Sequence, residues 1–253
     1  MKGKLMLMTV MGRDSSASYY GELAGVRVLI TGLSPSCGVD VARKFADHRG
    51  RLVVHATAPS PELDAVTTML AETASEVKLF TDACRDSESS ISFAKAAAQA
   101  FGGLDVVVNL IPISSDEMLG RSSIETIEDL VSEKLMLPVH VTRIVANRMQ
   151  LTLNEGLVLN VVTMPTPRTP GEAAVAGIVR SALAAVTRGE AQRWAPQGIR
   201  VNAVGPSATV GDTGASLTSE PDVAALALYL ASRPGRTLTG QMFDAAGVAK
   251  RGC

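Results

Sequence analysis

The stretch Val26-Arg27-Val28-Leu29-Ile30-Thr31-Gly32-Leu33-Ser34-Pro35-Ser36-Cys37-Gly38 decides the fold. It opens as a short apolar run, the pattern of a strand buried on both faces. It then breaks into a Gly/Ser/Pro turn and passes into a helical stretch over 39–47. A turn in that place brings backbone N–H groups and a helix N-terminus to one point, an arrangement that holds a pyrophosphate. Glycine is needed there where the chain turns sharply or lies close to a ligand. Alone, the motif reads equally well as a plain strand-to-helix turn, so the rest of the chain arbitrates.

Outward from this turn the same alternation repeats. Strands are predicted at 52–54, 77–80, 106–108, 157–162, 200–204 and 242–243. Ser60-Pro61-Glu62 starts a helix: Ser caps, Pro fits the first turn and Glu suits the positive end. An Ala-rich helix runs to Phe101 and stops at Gly102-Gly103. Ser122-Ser123-Ile124-Glu125 has capping-box spacing and opens a long helix, with Pro138 as an expected kink. Further helices are predicted over 171–194 and after Pro221. Alternating strands and helices imply an α/β fold: a doubly wound, mostly parallel sheet of about seven strands with helices on both faces. No linker or internal repeat interrupts it. The expected organisation is an extension over 1–24, Met-rich and then Ser/Tyr-rich, followed by one domain over 25–253.

Composition narrows the function classes. Hydrophobic residues make up 46% of the 253, enough for a substantial core, but only 4% are aromatic, so that core is aliphatic. A net charge of −1 argues against a broad nucleic-acid footprint. The apolar run over 5–11 is too short to span a membrane, and Gly12-Arg13-Asp14-Ser15-Ser16 after it is no signal-peptide cleavage site. Cys37, Cys84 and Cys253 are odd in number and lack CxxC spacing, which fits a reducing, cytoplasmic setting. Cys37 is read as a small buried filler at a helix start. His48, His55 and His140 are scattered without metal-ligand spacing, so no metal is expected.

Several segments in fixed order make the chain recognisable. Thr31-Gly32-Leu33-Ser34-Pro35-Ser36-Cys37-Gly38 resembles the TGxxxGxG turn of the short-chain dehydrogenase/reductase family. Thr81-Asp82-Ala83 is similar to the family's adenine-holding aspartate segment, and Leu104-Asp105-Val106-Val107-Val108-Asn109 to the run into its NNAG motif. Ile199-Arg200-Val201-Asn202-Ala203-Val204-Gly205-Pro206 resembles its IRVNxVxPG strand, and Thr239-Gly240-Gln241 its late TGQ turn. The resemblance covers about residues 25–250. It implies a Rossmann-like domain that binds NAD or NADP for oxidoreductase chemistry, with Gly32, Ser34, Ser36, Cys37, Gly38, Asp82, Ala83, Asn109 and Arg180 as candidate cofactor contacts. It also implies a homodimer or homotetramer through the helix over 171–194, whose Ala173, Ala174, Ala184 and Ala185 permit close approach, or a hetero-oligomer with an active relative.

The departures from the family gather at the chemistry. Ser36 replaces the middle glycine, and Pro112 replaces the last glycine of NNAG. Counting back from Ile199 puts Arg180 at the family's lysine position and Ala176 at its tyrosine position. Thr163 falls at the serine position and Lys134 near the asparagine position. The chain's tyrosines are Tyr19, Tyr20 and Tyr229, and none restores a YxxxK pair; Tyr229 reads as core of an apolar helix. Ala176 is inert as a proton donor, a role worth roughly 10²–10⁴ in rate. Arg180 stays protonated and cannot relay protons, though it is rich in donors for ribose hydroxyls. Thr163 keeps a hydroxyl, and Lys134 adds an amine that burial would turn into an acid. The NAD/NADP choice is not legible, because His55-Ala56-Thr57-Ala58 carries neither the acid nor the arginine that would report it. The segment over 207–220 is too short for a full substrate lid.

Three readings stay open: an oxidoreductase with an altered site built on Thr163, Arg180 and Lys134; a non-catalytic module binding a nucleotide or small molecule; and a structural subunit pairing with an active relative. Ala176→Tyr with Arg180→Lys is the restoration expected to return weak ketone reduction if the lost pair alone silences the site.

Overall fold

Short runs of Val, Ile and Leu between turn residues become seven strands. They are β1 (Arg27–Thr31), β2 (Arg51–His55), β3 (Glu76–Phe80), β4 (Val106–Pro112), β5 (Gly156–Thr163), β6 (Ile199–Pro206) and β7 (Met242–Ala245). The helices are α1 (Val39–Asp47), α2 (Pro61–Ala71), α3 (Ser87–Gln99), α4 (Ser115–Met118), α5 (Ile124–Leu151), α6 (Pro170–Trp194) and α7 (Glu220–Ala231). The structure, a computed structural model, describes residues 20–119, 121, 123–211 and 220–245. All neighbouring strands pair in parallel, in the order β3-β2-β1-β4-β5-β6-β7. The chain steps outward one way from β1 and then the other way from β4. That reversal opens a crevice at the carboxyl ends of β1 and β4, where folds of this class take their ligands.

Period-two alternation assigns side chains to the two faces. Val28, Ile30, Leu52, Val54, Val106 and Val108 pack with α1, α2 and α7 around the fully buried Phe45. Leu29, Val53, Val107, Val158 and Val201 face the other way, against α3, α5 and Trp194 of α6. Leu23, before β1, is buried in the first of these clusters.

Local signals set the helix starts. Ser60 Oγ accepts from the Leu63 N–H (3.1 Å), and Asp86 with Ser89 closes a capping box on α3. The expected cap Ser122 lies outside the described residues. Ser123 caps α5, accepting from the Thr126 N–H at 3.3 Å. α5 runs through the buried Pro138 as one helix of 28 residues.

Some expectations shift. β4 continues to Pro112, opposite Thr163 of β5, and the Ile113 N–H resumes the pairing on the Thr163 carbonyl at 2.8 Å. Proline is tolerated there because it ends the strand and is exposed. Tyr229 is not core: it is 40% exposed, since the helical period turns it away from Ala227, Leu228 and Leu230, which are buried. Cys37 is only half-buried. The Asn of the IRVN-like strand has a mechanical role. Asn202 donates to the Leu238 carbonyl (2.9 Å) and accepts from the Gln241 N–H (3.0 Å), so the Thr239-Gly240-Gln241 turn docks β7 on β6. Among the described residues no helix is long and apolar enough to cross a membrane, and no group of three or more His, Cys, Asp or Glu is placed to hold a metal.

Candidate functional site

The candidate site lies at the carboxyl ends of β1, β4, β5 and β6. At its centre is the turn between β1 and α1, four of whose N–H groups are engaged within the chain. Leu33 N–H donates to the His55 carbonyl (3.0 Å). Ser34 N–H and Cys37 N–H exchange bonds with each other's carbonyls (3.0 and 3.1 Å), and Ser36 N–H donates to Ser34 Oγ at 3.3 Å. One turn further on, the Asp40 N–H donates to Glu220 Oε1 at 2.8 Å.

The surviving glycines have packing reasons. Gly32 and Gly38 have φ of +73° and +88°, which disfavours any side chain. A Cβ at Gly32 would lie 2.3 Å from the Leu110 carbonyl oxygen, and one at Gly38 would lie 2.0 Å from Leu110 Cδ1. The Leu110 carbonyl of β4 therefore fixes Gly32, while Gly38 is fixed chiefly by its left-handed backbone. The middle position, the one a pyrophosphate would require to be small, is the exposed Ser36. A dinucleotide's diphosphate would meet the Asp40 donor already held by Glu220.

At the adenine end, Thr81, Asp82 and Ala83 are exposed just past β3. His55, ending β2 where a ribose-reading acid would stand, turns inward. It is fully buried and lies 4.2 Å from the Phe93 ring centroid. Its Nε2–H donates to the Asp82 carbonyl at 2.7 Å, while Nδ1 has no partner among the described residues. Burial lowers the His55 pKa, against the hydrogen bond to Asp82. Burial likewise pushes the neighbouring Cys84 thiol up to about 11, so it is no nucleophile at neutral pH.

The positions matched to the family's catalytic set are all tied into the scaffold. Ala176 is fully buried in an apolar cluster with Ile111, Met118, Val162, Met164 and Val179. Thr163 is buried at the end of β5, with Cys37 Sγ 3.8 Å from its hydroxyl. Arg180 donates to the Pro206 carbonyl (3.1 Å) and pairs with Asp244, bracing β6 against β7. Lys134 pairs with Glu117 at 2.5 Å. Burial works to raise the Glu117 carboxyl, but bonds from Lys134 and the Ser114 N–H outweigh it and its pKa is lowered. Asn109 is fully buried and links the strands: it accepts from Thr31 Oγ1 (3.0 Å) and donates to Asn160 (2.7 Å).

Thr163 and the turn thus come together through Cys37, while Arg180 and Lys134 are drawn to Asp244 and Glu117. Sequence reasoning missed Leu110, Glu117, Glu220 and Asp244. Only Leu110 carried a signal, as a bulky residue inside the NNAG-like run.

Comparison with known proteins places this geometry among relatives. The family model described as Enoyl-(Acyl carrier protein) reductase matches residues 32–221. The 3-oxoacyl-acyl-carrier-protein reductase FabG of Vibrio cholerae is 27% identical over 215 residues, covering 85% of this chain and 86% of that protein. Oxidoreductase UcpA of Escherichia coli is 27% identical over 197 residues, covering 74% and 70%. Among solved structures, a short-chain type dehydrogenase/reductase from Mycobacterium marinum superposes with a TM-score of 0.72 at 19% identity, covering 91% of this chain and 97% of that one. A dehydrogenase/reductase from Sinorhizobium meliloti 1021 gives 0.72 at 20% identity, covering 92% and 99%. At these identities the structural likeness speaks for the fold alone.

Proposed function

Because the chain belongs to the short-chain dehydrogenase/reductase family of oxidoreductases, we propose that it is a catalytically silent member that uses the crevice as a nucleotide-binding module rather than for conventional carbonyl reduction. One observation carries this: Ala176, at the tyrosine position, is fully buried among aliphatic side chains. Carbonyl reduction needs a proton at the forming alkoxide, and no acid stands at this position to give it. Neither neighbour compensates. Arg180 is spent on Pro206 and Asp244, and Lys134 on Glu117. Altered redox chemistry through Thr163, Arg180 and Lys134 is the weaker reading for the same reason.

Binding is supported by what remains: the strand-turn-helix unit at the point where strand order reverses, and the exposed Thr81-Asp82-Ala83 edge. NAD and NADP are the candidate ligands. His55, turned inward, offers no acid to the ribose hydroxyls and no cation to a 2′-phosphate. The family's relatives include 3-oxoacyl-acyl-carrier-protein reductases, and that substrate class is the first to exclude by assay. The odd cysteine count, without CxxC spacing, supports a reducing, cytoplasmic setting as part of this proposal.

A second reading, a subunit that contributes interface, is favoured by the outer face of α5 and α6. A cleft of about 550 Å³ lies there, lined by Arg143, Arg148, Arg193, Trp194 and Leu151, and Leu151 and Leu153 are exposed. This face fits a homodimer or homotetramer, or pairing with an active relative. Calorimetric titration with NADH and NADPH separates the readings: saturable binding supports the module, and no heat at millimolar ligand leaves assembly as the function.

A further inference from the structure

The first helix carries, at its N-terminus, an anion from the chain itself. Asp40 is the second residue of α1, so its N–H is one of the donors that a helix leaves without an internal partner. Glu220 Oε1 takes this N–H at 2.8 Å, from 180 residues further along the chain. The positive end of the α1 dipole favours the carboxylate, as it would favour a phosphate. Glu220 is the first residue of α7, and α7 packs on α1 in the same core cluster. The carboxylate is therefore delivered by a packed helix. Beside it, the Leu33, Ser34, Ser36 and Cys37 N–H groups are closed on their own neighbours.

We propose that Glu220 is a built-in competitor for the diphosphate of a nucleotide: it holds the Asp40 N–H at the α1 terminus, and a nucleotide takes that donor only when this carboxylate leaves. The inference rests on the nucleotide-binding reading above. A diphosphate and a carboxylate cannot share one helix terminus, because like charges at that distance repel and each needs the same donor. Displacement of this one carboxylate thereby sets ligand affinity.

The test is calorimetric titration of wild type, Glu220→Ala, Glu220→Gln and Asp222→Asn with ADP and with NADH, each protein first checked for native circular dichroism. Asp222→Asn removes the same charge from the same helical turn. Glu220→Ala should bind ADP about tenfold more tightly than wild type, the equivalent of roughly 1.4 kcal/mol. Glu220→Gln, which keeps the side-chain length without the charge, should move the same way, and Asp222→Asn should stay near wild type. Wild type and Glu220→Ala binding ADP equally overturns the competitor alone. No binding by any of the four proteins overturns the nucleotide-binding reading together with the competitor.

Discussion

Restoring the family's catalytic pair, Ala176→Tyr with Arg180→Lys, should unbalance the fold without returning activity. Ala176 has no exposed surface and sits among Ile111, Val162, Met164, Val175 and Val179. A phenol placed there adds seven heavy atoms to a filled cluster. Overpacking of this kind costs typically 1–3 kcal/mol or more, and a hydroxyl buried without a partner adds about 1–3 kcal/mol. Arg180→Lys gives up the fork that reaches both Pro206 and Asp244. With Asp244 more than half exposed, that pair is worth only about 0–1 kcal/mol. The sum is a loss of roughly 2–7 kcal/mol, a large share of the 5–15 kcal/mol typical of a domain. Urea unfolding should show the midpoint falling for the double variant, and NADPH-dependent reduction of a generic ketone should remain at background. A double variant as stable as wild type that reduces the ketone a hundredfold above background would refute the claim that the tyrosine position has been closed into the core.

Other consequences follow from the same contacts. Gly38→Ala should destabilise by roughly 2 kcal/mol or more, combining left-handed strain of about 1–2 kcal/mol with displacement of Leu110. In a Leu110→Ala background the added loss should shrink, and a double-mutant cycle by denaturant unfolding would measure the coupling. His55 should make stability pH-dependent. Its folded pKa lies below the unfolded value of about 6.5, so the unfolded chain binds the extra proton. Stability is full above about pH 6.5 and falls as pH drops towards the folded pKa, by at most about 1.4 kcal/mol per pH unit. Melting temperature against pH should show this slope in wild type and lose it in His55→Gln.

The fold was legible in the chain because its signals are local. Strand runs, Ser60 and Pro61 at a helix start, and Gly102-Gly103 at a helix end each act within a few residues. The boundaries slipped where pairing overrode the local pattern, as when β5 carried β4 on to Pro112. The exposure of Tyr229 is not legible in its apolar run, which does not say which face of the helix is covered. At the site, the replaced residues could be counted from the IRVN-like strand, but their partners could not. Arg180 meets Asp244, and Asp40 meets Glu220, across 64 and 180 residues of chain. No spacing rule connects residues that only the folded sheet brings together. The glycines are the instructive case: Gly32 and Gly38 read as phosphate-binding residues, yet the Leu110 carbonyl is reason enough for Gly32 and the left-handed backbone for Gly38.

The central claim is that the oxidoreductase fold persists without its proton donor. The most direct test is NADPH oxidation by the purified protein, followed by absorbance, with a 3-oxoacyl thioester and a generic ketone at saturating concentration. The rate should be no greater than the protein-free background. A rate that scales with protein concentration and reaches a kcat of about 1 s⁻¹ or more, as ordinary enzymes do, would contradict it.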